Sequence, residues 1–110
     1  MSWATAAIVK LQAGETVTLC PRGNSMAPII KSGEEVTLEP ITPETMLLKG
    51  DIVLVHVAGH DYLHLIHSLK FEQTGMHGPA RTGVTRYQIG NNHGRINGWV
   101  GRDHIYGRKV

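Results

Sequence analysis

The sequence predicts a mainly β domain with one N-terminal helix, its strands closing as a coiled sheet or small β-barrel. Three observations carry this. Short apolar–polar alternations recur from residue 15 onward, glycines and prolines punctuate them, and the alanine-rich stretch lies in residues 2–13. Alternation with period two marks a half-buried strand, and a series of short strands tends to curl to protect its edges. The 110 residues fit a single domain, with the helix over 2–13 and the β part over 15–110.

In SWATAAIVKLQAG, Ser2 can cap a helix, Ala4, Ala6 and Ala7 favour one, and Gly14 suits its end. Ala4, Ile8 and Leu11 form an apolar stripe for packing. ETVTLC and EEVTLEP each alternate, the second ending at Pro40. ITPETMLLKG, with Pro43 and Gly50, reads as a connection with at most a short helical turn. DIVLVHV is a β-branched run suited to a well-buried strand. AGHD is a hairpin turn from which YLHLIHSLKFE returns. QTGMHGPARTG is a polar loop and the expected mobile segment. VTRYQIGNN is a further strand and turn, and GWVGRDHIYGRKV closes the chain as one or two strands, six or seven in all.

A formal charge of +2 is too small to argue for nucleic acid. The late basic residues Arg81, Arg86, Arg95, Arg102, Arg108 and Lys109 read as a solvated rim, and the helix has no helix-turn-helix partner. Cys20 is alone, which rules out an intrachain disulfide and suits a reducing cytoplasm. With Pro21 after it and no histidine nearby in sequence, Cys20 is not expected to be a nucleophile. No apolar run approaches the ~20 residues of a membrane span, and the N-terminus lacks a leader pattern. The chain is expected to be soluble and cytoplasmic, without a membrane anchor.

RGNSMAPIIKSGEEV is the segment that suggests chemistry. A serine hydroxyl needs a base in reach and donors for the oxyanion. Gly23 allows close backbone approach, Asn24 and Met26 give backbone support, and the N–H groups of Ser25 and Met26 flank the reacting centre. Read alone, the segment is first of all a structural turn. For the base, strand alternation places Leu63, Leu65 and His67 on one face and Tyr62, His64 and Ile66 on the other. His67 ends an apolar face, which would keep it neutral as a base must be. The histidines also raise a metal, but alternation separates His64 from His67 and no cysteine joins His60, so neither metal nor cofactor is expected.

These residues together resemble the signal peptidase and LexA-type serine peptidase superfamily. GNSMAPIIKSGEEV resembles its nucleophile box, KGDIVLVHV the following strand, and YLHLIHSL the partner that ends in the general base. RYQIGNNHGRINGWV and HIYGRKV look like the late segment and closing strand, so the likeness runs in order over about residues 17–110. The resemblance implies an all-β coiled-sheet fold, a nucleophile at Ser25, and His67 where bacterial members have lysine and archaeal and endoplasmic-reticulum members have histidine. Small phage-encoded proteins carry similar domains, which implies a phage or prophage source and the host cytoplasm.

The departures are specific. Glu34 replaces the usual aspartate, Gly23 stands where some members carry a second serine, and Asn91, Asn92 and Asn97 occupy a region where an orienting acid is expected. Those asparagines can orient His67 only through neutral hydrogen bonds. Ala13-Gly14 matches the dipeptide cut in self-cleaving members, although a helix stop explains it too. Two functions are therefore expected. One is a serine peptidase-like protein that uses Ser25 and His67 on an extended peptide with small residues near the cut. The other is an inactive binding or inhibitor module on the same fold, with a peptide or protein partner.

Overall fold

The computed structural model describes residues 3–73 and 83–110. One helix, α1 (Thr5–Gln12), precedes seven strands: β1 (Val17–Leu19), β2 (Val36–Pro40), β3 (Ile52–Val57), β4 (His60–Gln73), β5 (Gly83–Gly90), β6 (Ile96–Gly101) and β7 (Ile105–Lys109). The strands form one antiparallel sheet in the order β1-β2-β7-β3-β4-β5-β6. β1 and β6 are its two edges, so the expected barrel does not close. The sheet nevertheless coils. A Cβ at Gly98 in β6 would lie 3.3 Å from Val57 in β3, although two strands, β4 and β5, lie between them in the ladder. Register shifts at Leu54/Val55, Ile66/Ser68 and Ile89/Gly90 tighten the twist that produces this.

α1 starts later than residue 2. Its N-cap is Ala4, with no side-chain cap, and Ser2 lies outside the described residues. At its other end Gly14 (φ +86°) supplies the left-handed stop that only glycine takes readily. Ala4, Ala7 and Leu11 are buried against the sheet. The approach is close: a Cβ at Gly107 in β7 would meet Leu11 Cδ1 at 2.8 Å.

β3 explains why its sequence is continuous apolar rather than alternating. Ile52 and Leu54 join a cluster with α1, Met26, Ile30 and Leu63. Val53, Val55 and Val57 join a second cluster, with Ile66, Tyr87, Ile89 and Val100, inside the coil of the sheet. A strand buried on both faces has no polar side to show. Ala58 (φ +52°) and Gly59 (φ +81°) then turn the chain into β4, since a two-residue hairpin takes positive φ at both positions. The 42–51 connection holds turns and no helix, and Leu47 plugs the second cluster. Residues 74–82, most of the loop expected to be mobile, lie outside the described residues.

The late arginines fasten the fold more than they form a patch. Arg108 donates to Glu39 at 3.0 Å and to the Met46 carbonyl at 2.7 Å. Arg102 donates to the Thr42 and Thr45 carbonyls, and Arg86 pairs with Glu72. Arg81 lies outside the described residues. No helix among the described residues is long and apolar enough to cross a membrane.

Candidate functional site

Ser25 stands in the exposed turn between β1 and β2, and its neighbours fix that turn. Met26 and Ile30 are buried in the first cluster and pin the segment to the sheet. The turn that joins β5 to β6 holds it from the other side. Asn92 donates its N–H to the Ser25 carbonyl at 2.9 Å and its side-chain amide to the Ala27 carbonyl at 2.9 Å. His93 Nε2 donates to the Asn24 carbonyl at 3.0 Å. Asn91 folds its own turn, its Oδ1 accepting the N–H groups of His93 and Arg95. Among the described residues, the N–H groups of Ser25 and Met26 and the Ser25 hydroxyl have no hydrogen-bond partner.

Ser25 lines a cavity of about 720 Å³ between the serine turn and the start of β4. Its walls include Trp3, Leu19, Cys20, Met26, Ile30, Leu63 and His64. His67 is not among them. It is the residue skipped by the register shift between Ile66 and Ser68, and its Nε2–H donates to the Asn91 carbonyl at 2.8 Å. Its ring fills the space where a side chain at Gly90 would stand, 3.0 Å from the position of such a Cβ.

His64 is the histidine the cavity holds. It is 5% exposed, the one buried polar residue among the described residues. Tyr62 stacks on its ring at 4.6 Å and 16°. Its Nδ1–H donates to Asn97 Oδ1 at 2.7 Å, which leaves Nε2 as the basic nitrogen. Burial holds the imidazole below the ordinary histidine value. The Asn97 hydrogen bond pulls the other way, and His67 nearby adds a smaller downward push. His64 is therefore neutral at neutral pH, the state a general base requires.

Of the residues singled out in the sequence, Ser25, Asn24, Met26, Asn91 and Asn92 meet at one place. Asn97 orients a histidine, but that histidine is His64 and not His67. The sequence signal for His64 is the same alternation that pointed to His67. Tyr62, His64 and Ile66 do share a face, and that face is the inside of the coil. Ala13 closes α1 and does not line the cavity. Cys20 is exposed on the cavity wall. Among the described residues, no group of three or more His, Cys, Asp or Glu could hold a metal ion.

No protein-family model matches the chain, and no curated protein matches it.

The arrangement provides an exposed hydroxyl and a buried neutral imidazole on one cavity, with an amide behind the imidazole. A hydroxyl, a neutral imidazole and an amide bonded to it are groups that an acyl-transfer site uses, although the Ser25 hydroxyl and His64 make no direct hydrogen bond. β4 adds a place for a substrate backbone. β3 pairs with β4 from His60 to Leu65, while β5 joins only from Leu65 onward. Tyr62–His64 therefore have β3 as their single strand neighbour among the described residues, and they border the cavity on the other edge.

Proposed function

We propose that the protein is a serine peptidase-like hydrolase that cuts an extended peptide segment, with Ser25 as nucleophile, His64 as general base and Asn97 as the residue that positions His64. The observation that carries this reading is the shared cavity of Ser25 and His64, with the His64 tautomer set by Asn97. The substrate backbone adds to the β4 edge at Tyr62–His64, which brings a carbonyl up to Ser25. His64 Nε2 takes the hydroxyl proton as Ser25 Oγ attacks, and the N–H groups of Ser25 and Met26 receive the oxyanion. His64 then returns the proton to the leaving amine, and water hydrolyses the acyl-enzyme by the same route in reverse. Asn97 takes the place of the acid in a Ser-His-Asp site, as an amide does beside a cysteine-histidine pair. It fixes the ring without adding charge, so the imidazolium formed during attack is less stabilised and turnover should be slow. The resemblance of the serine box to the signal peptidase and LexA-type superfamily supports the same nucleophile.

The test is digestion of an unbiased peptide library with cleavage sites mapped by mass spectrometry. Cleavage that disappears in Ser25→Ala supports the reading. Cleavage that survives in Ser25→Ala, or its absence from the wild type, favours a binding module instead.

A further inference from the structure

We propose that the cavity beside Ser25 seats a bulky apolar side chain, so that the bound segment carries Leu, Met or Phe close to the scissile bond rather than the small residues the family resemblance implies. This rests on the peptide-hydrolase reading of the same site.

The walls carry the argument. Leu19, Met26, Ile30 and Leu63 form an apolar lining, and Met26, Ile30 and Leu63 are themselves buried in the first cluster. Being packed from behind, they are positioned before any ligand arrives, as binding cavities usually are. Tyr62 lines the opening on the β4 side and Trp3 on the α1 side. At about 720 Å³ the space lies within the ~300–1,000 Å³ typical of ligand sites. A Leu, Met or Phe side chain is long enough to reach Leu19, Tyr62 and Trp3, lining residues that keep exposed surface, whereas an alanine methyl is not.

The charges at the cavity do not compete for this role. Arg22 is exposed, where water and salt screen it. Asp61 accepts from His56 Nδ1 at 2.8 Å and is already engaged. Because the lining lies next to Ser25 and to the β4 edge at Tyr62–His64, a side chain that fills it belongs to a residue near the attacked carbonyl.

The experiment separates occupancy from hydrolysis. Peptides of equal length, identical except for Ala, Leu, Met, Phe, Lys or Glu at one central position, are titrated against Ser25→Ala, and the same set is offered to the wild type. The Leu, Met and Phe peptides should bind Ser25→Ala at least about tenfold more tightly than the Ala peptide, and wild-type cleavage should follow that order. Leu19→Trp, which narrows the lining from the half-buried end of β1, should reverse the preference towards Ala. Its thermal unfolding checks that it has folded. Apolar-selective binding without cleavage would uphold the seat and sink the hydrolase reading. Ala, Lys or Glu peptides bound or cut as well as Leu would overturn the seat while leaving hydrolysis intact. Binding of none of the peptides would also overturn it.

Discussion

Up to His64, β4 has β3 beside it and borders a cavity. From Leu65 to Gln73 it has β5 beside it, and Leu69 and Phe71 run out to solvent. Two histidines three residues apart straddle that change. His64 is buried under Tyr62 and tied to Asn97, whereas His67 sits at the register shift and spends its Nε2–H on a backbone carbonyl. Residue type is the same and sequence spacing is small. What differs is coverage. The coil of the sheet closes over His64, while the pairing switch puts His67 between the strand and the β5–β6 turn.

The largest test of this difference exchanges the two rings. His64→Gln should lower kcat/KM for peptide cleavage by about 10³-fold or more, because a base that acts with its nucleophile is lost. His67→Gln should stay within about tenfold of wild type. Equal losses would show that the two halves of β4 act as one unit. Asn97 comes next. Asn97→Ala frees the His64 ring and should cost about 10²-fold through misplacement. Asn97→Asp supplies a carboxylate, so the acid limb of the pH–rate profile should move to higher pH. A merely structural Asn97 would leave that limb where it is.

Burial of His64 also predicts a pH dependence. In the proposed role of base His64 works only when neutral, so kcat/KM should fall on acidification only below the ordinary histidine value. The folded protein resists protonating His64, whereas the unfolded chain accepts the proton at the usual value of about 6.5. Stability from this group is thus full above that pH and declines as pH falls from there towards the folded value. His64→Gln should reduce the loss of thermal stability between neutral and mildly acidic pH. The smallest effect is on the serine turn. Asn92→Ala removes the bond to the Ala27 carbonyl but keeps the N–H on Ser25, and should cost about 0.5–1.5 kcal/mol in chemical denaturation.

Much of the strand layout is legible in the sequence. The β3 run, the Ala58-Gly59 turn and the return of β4 follow from residue pattern alone, and Ser25 and Asn97 stand out before any coordinates. That His64 rather than His67 borders the cavity is not legible there, for two physical reasons. Alternation sorts side chains into two faces but is silent on which face is covered, and here both are. The shift at His67 is set by pairing with β5, a contact between distant residues that leaves no mark in YLHLIHSL. Barrel closure fails for a related reason: curvature follows from the strands, whereas closure would require β6 to pair with β1 across the serine turn. The arginines read as a solvated rim because their partners, Glu39 and the 42–46 carbonyls, lie some sixty residues away in sequence.

The most direct measurement is covalent labelling of Ser25 by a serine-reactive phosphonate, followed by intact mass, in wild type, Ser25→Ala, His64→Gln and His67→Gln. Labelling should occur in wild type and His67→Gln and be lost in Ser25→Ala and His64→Gln. Labelling that persists in His64→Gln and vanishes in His67→Gln would contradict the assignment of His64 as the base.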